Sequence, residues 1–116
     1  MKSSDKPRMW EIWLADVEFE GAPGHKKRPV LVLGAKAGGI ELMEITSQPI
    51  RRTFADVEVP GTVDTGLEKD SIIRTGRRRT VPREAMIRRL GEVADEPTKS
   101  QVRKAANFFE TSKEDD

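Results

Sequence analysis

Apolar Trp10, Ile12 and Leu14 alternate with Glu11 and Trp13, the two-residue period of a strand with one buried face. The next stretch, Gly21-Ala22-Pro23-Gly24-His25-Lys26-Lys27, interrupts both strand and helix patterns and reads as an exposed basic loop. Arg28-Pro29 then opens the β-branched run Val30-Leu31-Val32-Leu33, with proline at a strand's first residues, where a missing N–H is tolerated. Gly34 to Gly39 predicts a turn, Ile40 to Ile45 a third strand, and Thr46-Ser47-Gln48-Pro49 its end. Ala55, Val57 and Val59 against Asp56 and Glu58 predict a fourth strand with an acidic outer face, closed by Pro60-Gly61.

In the second half, Ser71-Ile72-Ile73-Arg74 and Arg79-Thr80-Val81 are two short strand candidates around Gly76, the second stopped by Pro82. Proline also suits a first helical turn and glycine a helix end, so Pro82 and Gly91 predict a short helix over Arg83 to Leu90. Asp95 can cap a final helix whose Val102, Ala105, Ala106 and Phe109 fall on one face. Residues 1–8 read as a polar N-terminal tail and 111–116 as a frayed C-terminal one. Many short strands followed by one amphipathic helix make a mainly β, α+β chain, a small curled sheet or barrel with the helix packed on it. There is no internal repeat.

Composition narrows the chemistry. A chain of 116 residues with six aromatics bounds one small domain. The absence of cysteine excludes a disulfide framework and a thiolate zinc site, and a single histidine, His25, cannot build a multi-histidine metal centre. No apolar stretch approaches the roughly 18 residues of a membrane span, and Met1 to Arg8 lacks the apolar segment of a signal peptide, so no membrane role is expected and the cytoplasm is the expected compartment. The phosphate-cradling, dinucleotide and metalloprotease signatures are missing, and no serine has a plausible triad.

The charge is unevenly placed. Residues 1–70 carry ten basic and twelve acidic groups, residues 71–91 seven and one, and residues 92–116 four and seven. All seven cations of the middle segment are arginines (Arg74, Arg77, Arg78, Arg79, Arg83, Arg88, Arg89), whose planar forks suit phosphate oxygens. Lys26-Lys27-Arg28 and Arg51-Arg52 add two smaller groups. A solvated face that resists aggregation explains such runs as well as polyanion binding does. Polar candidates gather at three turns: His25 with Arg28, Thr46 with Ser47, and Arg74 with Arg77 to Arg79. If these meet at one rim, guanidinium groups, hydroxyls and an imidazole form a pocket that fits a phosphodiester. Read singly, Arg28 could pair with an acid across the sheet, Thr46 and Ser47 could cap a turn, and His25 could be an exposed bystander.

Six ordered blocks carry a resemblance: Trp10-Glu11-Ile12-Trp13-Leu14-Ala15-Asp16-Val17, Lys27-Arg28-Pro29-Val30-Leu31-Val32-Leu33, Glu44-Ile45-Thr46-Ser47, Gly66-Leu67-Glu68-Lys69-Asp70-Ser71-Ile72-Ile73, Arg79-Thr80-Val81 and Leu90-Gly91-Glu92-Val93. Over about residues 9–110 the chain resembles the MazF/PemK family of toxins. The resemblance implies an SH3-like barrel that forms a homodimer, cleaves single-stranded RNA sequence-selectively without a metal or other cofactor, and is blocked by a cognate antitoxin protein. It implies that Arg28 and Thr46 are the central catalytic pair, joined by Arg74 and His25 as in some members. Lys26, Lys27, Ser47, Gln48, Arg51, Arg52, Arg77, Arg78 and Arg79 are then expected along the RNA. Gly76 stands where some members carry an aspartate, which leaves the general base open. The alternative is a noncatalytic barrel of the same shape that binds nucleic acid or a protein such as DNA gyrase.

Overall fold

The N-terminal alternation does form a strand, β1 (Glu11–Glu18), but both of its faces are buried. Ile12 joins one apolar cluster and Trp13, Ala15 and Val17 join another. Trp13 is therefore core, and its indole N–H donates to Glu11 Oε1 at 2.9 Å. The same carboxylate accepts the Arg8 backbone N–H at 2.9 Å and the Arg89 guanidinium at 3.1 Å. Burial acts to raise the Glu11 pKa, but these hydrogen bonds outweigh it and hold the carboxyl below its ordinary value. The computed structural model describes residues 6–19, 21–47 and 55–114, with side chains described as far as residue 107.

Six antiparallel strands form one curled sheet in the order β4-β5-β3-β2-β1-β6. β2 (His25–Lys36) is longer than the apolar run suggests, and the basic end of the stretch expected as loop, His25 to Lys27, is strand. Glu18 faces His25 and Asp16 faces Lys27, so backbone pairing carries the hairpin outward past its apolar residues. The turn shrinks to the residues around Gly21 and Gly24, whose φ values of +78° and +112° only glycine adopts freely. Pro29 lies within β2, opposite Leu14, at the point where the ladder to the next strand has not yet begun. That ladder starts at Val30, so the proline interrupts no bond on that side.

The turn expected over Gly34 to Gly39 reduces to Ala37-Gly38, with Lys36 facing Gly39 as β3 (Gly39–Thr46) begins. β4 (Asp56–Val59) keeps its alternation, but only Glu58 is exposed; the Asp56 side chain is 5% exposed and paired with Arg74. The two strand candidates around Gly76 are one strand, β5 (Ser71–Val81). Between them the register to β3 jumps, with Met43 opposite Arg78 but Glu44 opposite Arg74. This bulge is pinned by Thr75, whose hydroxyl donates to the Ala55 carbonyl at 2.6 Å.

The short helix expected over Arg83 to Leu90 is absent. Arg83–Ala85 makes a single 3₁₀ turn and Met86–Glu92 is β6, paired with β1. An eight-residue helix is marginal alone, whereas the free edge of β1 offers a full ladder. Gly91 is no helix cap: a Cβ there would lie 2.3 Å from the Asp64 carbonyl oxygen, so the glycine permits backbone to pack on backbone.

α1 (Glu96–Glu114) lies against β4 and β5 and buries Val102 with Ala105 and Ala106 at its margin. Its helical backbone continues to Glu114, into the segment expected to fray; the Phe109 side chain lies outside the described residues. Asp95 caps it as expected, accepting the Thr98 backbone N–H at 3.0 Å and the Thr98 hydroxyl at 2.7 Å. Those two bonds hold the Asp95 carboxyl below the usual aspartate range. Asp95→Ala is expected to cost about 1 kcal/mol in urea denaturation at neutral pH. A lowered folded pKa stabilises fully above the unfolded value and loses that effect as pH falls through the folded one, so the gap between variant and wild type should close in acid.

Candidate functional site

Register places the candidate residues. Val30 of β2 faces Glu44 of β3, and Glu44 faces Arg74 of β5. Arg28 lies two residues from Val30 and Thr46 two from Glu44. With the two-residue pleat, Arg28, Glu44, Thr46 and Arg74 therefore emerge on the same face. The opposite face at these positions carries Leu31, Met43, Ile45 and Ile73, none more than 1% exposed.

Beyond Val30 and Glu44 the two strands part, and Arg28, Thr46 and Arg74 line one concavity of about 1060 Å³ at that gap. The loop 66–69 and the β6 residues Arg88 and Leu90 form its other wall. Among the described residues its lining holds seven cations, Lys26, Lys27, Arg28, Lys69, Arg74, Arg77 and Arg88, against three carboxylates, Glu18, Glu44 and Glu68. A cavity so lined attracts polyanions. Arg28 is half-buried and makes no ion pair among the described residues. Arg74 Nε stands 3.9 Å from Asp56 Oδ1, which aims the guanidinium along the sheet.

His25 does not line the concavity. It is absent from the lining, and its Nδ1 instead lies 3.5 Å from Asp16 Oδ1, across the hairpin. Lys26, Lys27, Ser47 and Arg77 line the concavity, whereas Arg78 and Arg79 lie away from it. Arg78 approaches Glu41 at 3.8 Å, and Arg79 Nε meets Glu44 Oε2 at 3.0 Å. Gln48, Arg51 and Arg52 lie outside the described residues. Sequence reasoning named Arg88 only as part of the basic segment and missed Lys69 and Glu44. The signal for Glu44 was present, two positions before Thr46 on the same strand, but its face depends on the pairing with β2. A second cavity of about 730 Å³ shares Ser47 and Ser71 with the first and is walled by Asp56, Glu58 and Asp70.

The family model for the PemK-like, MazF-like toxin of type II toxin-antitoxin systems matches residues 8–109. No curated protein sequence matches the chain significantly. Among solved structures, the Mycobacterium tuberculosis toxin MazF-mt6 superposes with a TM-score of 0.67 at 23% identity, over 86% of this chain and 96% of that one. A mycobacterial endoribonuclease in complex with its cognate antitoxin superposes with a TM-score of 0.68 at 18% identity, over 89% of this chain and 93% of that one. A further mycobacterial endoribonuclease gives 0.65 at 14% identity, over 88% of each chain. At these identities the likeness establishes the fold.

The wall formed by loop 66–69 rests on Gly66, whose φ is +73° and whose added Cβ would lie 2.0 Å from the Leu90 carbonyl oxygen. Gly66→Ala is expected to destabilise by at least about 2 kcal/mol, combining strain with collision. Gly21→Ala has a similar φ of +78° and nothing within 4 Å, so it isolates the strain. Its cost should be about 1 kcal/mol. Chemical denaturation of both variants measures the difference.

Proposed function

Because this chain belongs to the PemK-like, MazF-like toxin family of type II toxin-antitoxin systems, we propose that it is an endoribonuclease toxin that cleaves single-stranded RNA by attack of a ribose 2′-hydroxyl on its own phosphodiester. The observation that carries this reading is the convergence of Arg28, Thr46 and Arg74 on one sheet face, in one cation-rich concavity. The nucleophile belongs to the substrate, so the reaction needs neither a metal-activated water nor a covalent intermediate. The products are a 2′,3′-cyclic phosphate and a free 5′-hydroxyl.

Arg28 and Arg74 offset the charge that grows on the nonbridging oxygens as phosphorus becomes five-coordinate. A guanidinium offers two parallel N–H donors to such oxygens. Arg28 is available for this, since no carboxylate among the described residues holds it. Thr46 adds a hydroxyl donor. Lys26, Lys27, Ser47 and Arg77 follow the backbone of the bound strand, with salt-dependent affinity as the consequence. His25 does not line the concavity and is left out of the chemistry.

This reading makes the protein a cytoplasmic toxin, active as a homodimer and neutralised by a cognate antitoxin whose acidic segment covers the same cations. The mycobacterial endoribonuclease bound to its own antitoxin supports the last part.

Purified protein incubated with a long unstructured RNA in EDTA should yield discrete fragments. Arg28→Ala and Thr46→Ala should each slow cleavage by roughly 10²–10³-fold, the effect of removing one donor to a developing oxyanion. A 2′-deoxy nucleotide at the cleavage position should abolish it. Intact RNA at micromolar protein would instead favour a noncatalytic barrel.

A further inference from the structure

The reaction just described leaves one proton without an acceptor. The 2′-hydroxyl must lose it, yet Arg28 and Arg74 are cations that do not deprotonate, Thr46 is a poor base, and His25 does not line the concavity. Among the described residues the concavity holds three carboxylates. Glu18 is exposed at the far end of β1 opposite His25, and Glu68 is exposed on the facing loop. Glu44 differs from both: it stands on β3 in register with Arg74, two residues from Thr46, on the face those groups share.

We propose that Glu44 is the general base, taking the 2′-hydroxyl proton as the 2′-oxygen attacks phosphorus. The proposal rests on the ribonuclease reading above and names the group that completes it.

Three features suit Glu44 to this role. Its side chain is 13% exposed, enough to meet substrate and too little to be held by bulk water. Arg79 Nε pairs with Oε2 at 3.0 Å, which fixes the rotamer. Oε1 has no hydrogen-bond donor among the described residues, and no buried side-chain oxygen there lacks a partner, so Oε1 is accessible to solvent, on a residue that lines the concavity. One oxygen is thus anchored and the other free to accept.

The step balances without a further reactant except water. The 2′-O–P bond forms and the P–O5′ bond breaks. The 2′-hydroxyl proton passes to Glu44 Oε1, the leaving O5′ takes a proton from a water molecule, and Glu44 returns its proton to solvent. The position of Glu44 also explains how Gly76 can stand where some relatives carry an acid: the carboxylate comes from the neighbouring strand, opposite Arg74.

The test is the pH dependence of kcat/KM on a fluorogenic RNA between about pH 4 and 8. For the wild type, log kcat/KM should fall with unit slope on the acid side as Glu44 protonates. Glu44→Gln should cleave about 10²–10⁴-fold more slowly and lose that acid limb, while binding an RNA with a 2′-deoxy cleavage position at least as tightly. Glu44→Asp, which keeps a carboxylate, should retain the limb at a reduced rate, and circular dichroism should show both variants folded. A Glu44→Gln protein that cleaves within about threefold of wild type, or is slow but keeps the acid limb, would overturn the proposal and leave the ribonuclease reading standing. A wild-type protein that cleaves nothing would remove the reading itself.

Discussion

The pairing register of β2, β3 and β5 is the constraint on which the candidate site depends. Because side chains alternate along a strand, a slip of one residue in β3 would send Glu44 and Thr46 into the apolar interior and turn Met43 and Ile45 outward. What prevents this is the opposite face. Leu31, Met43, Ile45 and Ile73 are each at most 1% exposed, and burying a side chain of that kind contributes about 1.5–3 kcal/mol. The polar constellation is thus positioned by apolar residues that touch no substrate, and the chemistry inherits its precision from the core behind it.

The second consequence of the pairing is electrostatic. As a segment, residues 71–91 carry a large basic excess, but the folded sheet spends much of it internally. Arg74 approaches Asp56, Arg78 approaches Glu41, Arg79 binds Glu44, and Arg89 binds Glu11 and Glu92. These pairs decide how freely each guanidinium group can turn to a ligand. Arg28, from a different part of the chain, is left unpaired among the described residues, while the acidic walls of the second cavity sit beside the basic first. The result is a local separation of charge that a sum over the chain conceals.

These two effects mark what was legible in the sequence. The alternation at Val57 and Val59, the Asp95 cap and the Val102 face follow local rules and appear in the structure as expected. The family and the mainly β class were readable from ordered blocks such as Trp10 to Val17 and Arg28 to Leu33. Long-range pairing was not. His25 to Lys27 resembles loop in composition but is zipped to β1, and Met86 to Leu90 resembles a helix but completes a sheet edge. Arg28, Thr46 and Arg74 were named by type and motif, whereas the presence of Glu44 depended on a count of residues from a paired position. Parity along a strand has no local signature until the partner strand is known.

The contact between Gly66 and Leu90, and that between Gly91 and the backbone at Asp64 and Thr65, meet where the far edge of the sheet closes against the loop that precedes β5. The Glu92 N–H donates to the Asp64 carbonyl at 2.9 Å across it. Such a seam has main chain on both sides and glycine at its centre, so its closeness is set by backbone and lasts only while no Cβ intrudes. What the cleft admits is therefore decided by the side chains along its walls, while main chain alone holds those walls together at this edge.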